Sequence, residues 1–277
     1  MNKRRWPIAL HSWTLDGVPP RQMLQIARRA GYDAVELRRV DFAEAAWGLE
    51  RDDLVAEIGA SGIEVATVGI EPGLIFATGA EARRLRAGLR EQCENAVALG
   101  CSTLMTSSGA NSGTLELARE NLRAAGEIAG EHGLRLAVEL NFAHPVLGSL
   151  DAVRDVVQAA DSPALGLMLD TFHLHLTGRA GRGFADIAAE EIAAFQYSDV
   201  PHYAAGEPVL PAVRLPPGEG AVDWAGVFGL LDEVGYDGPV SFEAPHPAHR
   251  TMEPEAVAAA GLRATLAMMA ARTFISG

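Results

Sequence analysis

The sequence predicts an α/β protein, a single (β/α)8 barrel filling residues 1–277 as one domain. Three observations carry this expectation. Short apolar, β-rich runs alternate with longer Ala-rich amphipathic ones about eight times. Gly31, Gly62, Gly100, Gly133 and Gly235 each follow a helical run and precede an apolar one, as expected of a residue that ends helices in the left-handed conformation. No Pro- or Ser-rich linker divides the chain. A doubly wound open sheet is the alternative, and it usually needs fewer units.

The units follow in order. Trp6–Ser12 predicts the first strand and Pro20–Ala30 its helix. Ala34–Leu37 pairs with Arg51–Ser61, Glu64–Val68 with Glu81–Leu99, and Thr103–Ser107 with Leu115–His132. Arg135–Leu140 is followed by Ser149–Ala160, and Leu165–Asp170 by a weak helical pattern near Phe184–Glu190. Ile192–Tyr197 and Pro239–Phe242 complete the strands, with Trp224–Val234 and Pro254–Phe274 as the last helices. The segment from Pro201 to Gly220 breaks the rhythm, being long, Pro-rich and without periodicity. It follows the seventh strand, so on a barrel it lies at the rim where strand C-termini converge. A lid or substrate loop is the expectation, with disorder as the alternative.

Composition excludes several classes. A formal net charge of −13 argues against nucleic acid, whose phosphates need clustered Lys and Arg. Arg-rich helical stretches such as ARRLRAGLR read as solvated faces. No stretch approaches the ~18 apolar residues of a membrane span. The basic start MNKRRWPIAL has too short an apolar part for a signal peptide, so the expected location is cytoplasmic. Cys93 and Cys101 are expected to be reduced and buried.

Four strand-like runs end in an oxygen-bearing side chain: Glu139 in RLAVELN, Asp170 in LGLMLDTFH, Gln196 in IAAFQYSD and Glu243 in GPVSFEAPH. On one rim these groups would repel unless a cation sat among them. An all-oxygen set suits one Mg²⁺ or Mn²⁺ ion better than Zn²⁺, with Co²⁺ a further candidate. A carboxylate at a strand end can also cap a helix, so the grouping rather than any single residue carries the reading.

DTFH followed by HL, the run FQYSDVP, then PPGEG and GYDGPVSFEAPHP resemble the xylose-isomerase-like TIM-barrel superfamily, from about Ile8 to Glu243 and most sharply from Glu139 onward. The resemblance implies one divalent metal held by Glu139, Asp170, Gln196 and Glu243, with His173, in the pattern Asp-x-x-His, contacting substrate oxygen. Gln196 stands where the superfamily's ketose epimerases carry His, and resembles the hydroxypyruvate isomerase and dehydroshikimate dehydratase branches. The chemistry implied is proton movement beside a carbonyl through an enediolate, with Glu139 and Glu243 as base and acid. Isomerase or epimerase is the first label, on a small ketose, sugar, cyclic polyol or keto-acid. A dehydratase of the inosose or dehydroshikimate type is the runner-up. Endonuclease chemistry needs more rim histidines than the chain has, and a non-catalytic sugar-binding barrel or subunit is disfavoured by the complete ligand set. A homo-oligomer is compatible with the sequence.

Other residues stay open between site and scaffold. His202 is a candidate substrate contact. Arg214, the single cation of the 201–220 segment, either clamps a carboxylate or phosphate or sits in solvent, and Arg250 has the same ambiguity. Glu36 either bonds substrate, supports the neighbours of Glu139 or pairs with Arg38. His11, Asn141 and His144 are expected near the same rim, and His175 is read as structural. Trp13 and Phe76 are expected in the core.

Overall fold

The computed structural model describes residues 4–204 and 206–271. Eight parallel strands close into a barrel in chain order: β1 (Ile8–His11), β2 (Ala34–Leu37), β3 (Glu64–Gly69), β4 (Thr103–Ser107), β5 (Arg135–Glu139), β6 (Leu165–Asp170), β7 (Ile192–Tyr197) and β8 (Val240–Phe242). Closure is made by β1 on β8, with Ile8 opposite Val240. The strands are mostly buried and rich in apolar residues because a parallel barrel covers both faces, one in the interior and one under the helices.

The helices are α1 (Pro20–Ala30), α2 (Glu44–Trp47), α3 (Arg51–Ala60), α4 (Gly79–Ala98), α5 (Leu115–Glu131), α6 (Leu150–Ala160), α7 (Thr171–Leu176), α8 (Trp224–Glu233) and α9 (Pro254–Ala271). The last three residues of the predicted helix Pro254–Phe274, and the first three of the basic start, lie outside the described residues. All five glycines singled out after helical runs have positive φ. Gly31, at φ 94°, lets its N–H turn back to the carbonyls of Ala27 and Arg28, closing α1 before β2. Cys93 and Cys101 are free and buried, and burial pushes both thiols up to about 11.

One unit departs from expectation. The helix after β6 is not at Phe184–Glu190, which forms turns and a short 3-10 segment, Ala189–Glu191. It is α7, which starts directly at the strand end because the Asp170 carboxylate accepts from the Phe172 N–H at 2.9 Å and caps it. Six residues are too few for an amphipathic period to show in the sequence.

Strand alternation sets the direction of the site residues. Ala137, Met168 and Ala194 cluster with Met105 in a small apolar group separate from the main core. Glu139, Asp170 and Gln196 lie two residues further along β5, β6 and β7, so they share the same inward face at the C-terminal rim. Asp170 pairs in register with Gln196, and Gln196 with Ser241, two residues before Glu243.

Candidate active site at the C-terminal rim

Glu139, Asp170, Gln196 and Glu243 are all buried at this rim, together with His11, Glu36, His173 and Arg214. Glu139, Asp170 and His173 offer ligand atoms within 4.8 Å of one another. A cavity of about 610 Å³ opens beside them, walled by His11, Trp13, Arg38, Met105, Glu139 and Glu243 among others. A depression of about 840 Å³ at the opposite rim, near Thr103, Arg135 and Tyr236, lacks the acid cluster.

Arg214 is only 2% exposed, which excludes the solvated alternative. Its Nη1 donates to Asp170 Oδ2 at 2.8 Å and to Glu243 Oε2 at 2.9 Å. The guanidinium lies 4.3 Å from the Phe172 ring centroid and 5.8 Å from that of Trp13. The residue expected to meet an anionic ligand therefore meets the protein's own carboxylates. Arg250 instead lies at the surface, paired with Asp16.

The loop carrying Arg214 is tied down from one buried residue. The Asp199 carboxylate accepts from the N–H groups of Val200, Gly218 and Val222 and from the Trp224 indole, all at 2.8–2.9 Å. Asp199 and Leu215 also form an antiparallel bridge, and the Arg214 N–H donates to the Pro245 carbonyl. The sequence marks Asp199 only by its place three residues after Gln196. Its four donors come from positions up to 25 residues away, which no local pattern records.

Glu36 does not pair with Arg38. Its Oε1 accepts from Gln196 Nε2 at 2.9 Å across the barrel. Arg38 reaches Ser12 and lies near Asp16 and Asp41. His11 Nδ1 accepts from the Trp13 N–H, so the neutral ring carries its proton on Nε2, which faces Glu243 Oε1 at 3.3 Å. His173 is arranged alike: Nδ1 accepts from the Phe142 N–H, and Nε2 faces Asp170 at 3.7 Å and Glu139 at 3.8 Å. His144 is saturated by loop backbone and stacks on buried Phe76, whose expected core placement holds. His202 is exposed, and Trp13 belongs to the cavity wall rather than the core.

Electrostatics separates these groups. Glu139 is held well above the usual carboxylate range, by burial first and then by Glu243 and Asp170. Glu243 is also raised by burial, with Arg214 opposing. Glu36 is pushed up to about 7, again mainly by burial. Burial lowers His11, and lowers His173 to about 4, so both imidazoles are neutral near pH 7.

A sequence profile described as xylose isomerase-like TIM barrel matches residues 24–268. The chain belongs to the xylose isomerase-like TIM-barrel family. Among curated proteins similar to it, a 3-dehydroshikimate dehydratase of Pseudomonas putida is 31% identical over 265 residues, 91% of this chain but 40% of that protein. An inosose isomerase of Bacillus subtilis is 25% identical over 131 residues, 47% of this chain and 46% of that protein. The chain thus spans less than half the length of these curated relatives. In the crystal structure of IOLI protein with a zinc atom bound, the family fold superposes with a TM-score of 0.84 at 19% identity, covering 96% of this chain and 99% of that one. A fusion of a xylose isomerase-like TIM barrel with a 4-hydroxyphenylpyruvate dioxygenase gives 0.82 at 26% identity, covering 96% of this chain and 43% of that one.

Proposed function

We propose that this chain is a divalent-metal-dependent enzyme that removes a proton beside a carbonyl and expels a neighbouring hydroxyl, a dehydratase acting on a small cyclic keto-acid or polyol. The observation that carries this reading is the inequality of the two glutamates. Glu243 has one oxygen on Arg214 and the other facing His11. Among the described residues, no hydrogen bond reaches the Glu139 carboxylate, and His173 Nε2 stands 3.8 Å from its Oε1.

One free carboxylate suits some outcomes better than others. Epimerisation needs a second free group on the opposite face of the substrate. Dehydration needs one: the C–H proton passes to Glu139, the carbon–carbon double bond forms, and the departing hydroxyl takes that proton and leaves as water. A buried carboxylate with raised proton affinity is a stronger base when ionised and a competent acid once protonated. His173, neutral with its proton on Nε2, is placed to donate to a substrate oxygen rather than to ligate a metal. The resemblance to dehydroshikimate dehydratases at the level of Gln196, and the 31% identity to one, support the same direction.

The residues present fit a divalent ion. Three carboxylates, Glu139, Asp170 and Glu243, face one guanidinium, which leaves two negative charges uncompensated if all are ionised. Gln196 Oε1 is buried and has no hydrogen-bond partner. Glu139, Asp170, Gln196 and Glu243 would hold the ion, whose charge would polarise the substrate carbonyl. The oxygen-only set favours Mn²⁺ or Mg²⁺.

Isomerisation, placed first on sequence, becomes the second reading, since a proton shift between neighbouring carbons also needs only one free carboxylate. Incubation with 3-dehydroshikimate, inosose and a panel of ketoses in D₂O separates the readings. Ultraviolet-absorbing enone or catechol product from a cyclic substrate supports dehydration. Deuterium in a recovered ketose, with no absorbing product from any substrate, would overturn it in favour of isomerisation.

A further inference from the structure

Gln196 and Glu36 form a buried polar pair in the barrel interior, with His11 Nε2 also 3.8 Å from Glu36 Oε1. Gln196 is 0% exposed and Glu36 1%. They stand on β7 and β2, strands that are not neighbours. A carboxamide can be set two ways, with its oxygen and nitrogen exchanged. Here Nε2 donates to Glu36 Oε1 at 2.9 Å, and Oε1 is left buried without a partner. The opposite setting would put the amide oxygen against an acceptor oxygen of Glu36 and turn the NH₂ group to where Oε1 now lies. Only the oxygen can ligate a hard divalent cation.

We infer that Glu36 is a positioning residue that holds Gln196 by its nitrogen, so that the amide oxygen is the atom offered to a divalent cation. This rests on the metal reading above. Glu36 acts here as a hydrogen-bond acceptor and not through its charge. Any acceptor of similar reach would serve, and the requirement disappears if residue 196 has two equivalent oxygens.

The test is calorimetric titration of the metal-stripped protein with Mn²⁺. Glu36→Leu, which removes the acceptor, is expected to weaken Mn²⁺ binding by roughly 10–100-fold, the usual loss when a partner of a metal ligand is removed. Glu36→Gln keeps an acceptor oxygen but adds an NH₂ group that can hold the Gln196 amide either way round, so its loss is expected to be smaller than that of Glu36→Leu. In a Gln196→Glu background, Glu36→Leu is expected to change affinity little, because either carboxylate oxygen can face the ion. Equal Mn²⁺ affinity for Glu36→Leu and wild type overturns the inference. A Glu36→Leu loss that persists in the Gln196→Glu background overturns it as well.

Should Glu36→Leu fail to fold, ¹³C,¹⁵N spectra of the wild type decide. The Gln196 NH₂ protons are expected to be protected from exchange without metal, and its Cδ resonance to move when Mg²⁺ is added. Unprotected protons, or a stationary Cδ in a protein that binds Mg²⁺, count against the inference. The metal reading fails separately, if wild type takes up no Mn²⁺ or if Glu139→Gln takes it up equally well.

Discussion

At the scale of single residues, the site is a contest for two carboxylates. Arg214 already holds Asp170 and Glu243, the groups a divalent ion would share. Removing a buried cation from its partners destabilises strongly, so Arg214→Ala should lower the stability of the metal-free protein by about 3 kcal/mol or more. The same change removes a positive charge beside the ion, so Mn²⁺ affinity should rise while turnover falls. Lysine should not restore turnover, because an ammonium cannot at once reach the two carboxylates, donate to the Pro211 carbonyl and lie flat over the Phe172 ring as the guanidinium does. Lower Mn²⁺ affinity in a folded Arg214→Ala protein would mean that the arginine supports the metal rather than competing with it. Glu139 tests the other side of the contest. Glu139→Gln keeps the volume and removes one charge, and should abolish turnover and weaken Mn²⁺ binding at least tenfold. Full metal content and retained activity would remove Glu139 from the site.

At the scale of elements, the 201–220 segment is ordered by chemistry outside it. One carboxylate, Asp199, takes four donors, spanning the start of the loop, its end and the first residue of α8. Hydrogen bonds to a charged acceptor contribute about 1.5–3 kcal/mol each, and they are not additive when they share one group. Asp199→Ala should therefore cost about 3 kcal/mol and release the loop before the barrel. Hydrogen exchange should show faster amides between residues 206 and 222, with β5 and β6 still protected. Uniform loosening of the whole barrel would place Asp199 in the general core instead. Turnover should fall with the loop, since Arg214 is seated from it.

At the scale of the whole molecule, the barrel carries acids at its interior that it would rather keep protonated. Burial pushes the Glu36 carboxyl up from its ordinary value near 4.5 to about 7 in the folded protein. A group raised in the folded state adds its full stability below the unfolded value and loses it as pH rises through the folded one. For Glu36 the loss falls between about pH 4.5 and 7 and amounts to about 3 kcal/mol, with Glu139 and Glu243 acting in the same direction at higher pH. The metal-free protein should therefore melt at a higher temperature near pH 5 than near pH 8, and Mn²⁺ should erase much of the difference. A metal-free melting temperature that climbs steadily from pH 5 to pH 8 would show that these groups are ionised without penalty. Among the described residues, no helix is long and apolar enough to cross a membrane.

The sequence by itself determined the barrel, because its signals are local. Apolar runs, amphipathic helices and the glycines between them repeat at short range, and strands such as Ala34–Leu37, Thr103–Ser107 and Ile192–Tyr197 fall where they were read. It also determined that Glu139, Asp170, Gln196 and Glu243 stand at or beside the C-terminal ends of β5, β6, β7 and β8, and strand alternation turns the first three inward with Ala137, Met168 and Ala194 beneath. Only the tertiary structure decided their partners. Arg214 is 44 residues from Asp170, and Glu36 is 160 from Gln196. Hydrogen bonds at such separations follow from how the barrel closes and how the rim loop folds back, and burial shifts an acid only once the surrounding chain has excluded water. The sequence therefore listed the rim groups, while barrel closure chose which glutamate has no hydrogen-bond partner, which is bound to arginine, and which accepts from an amide.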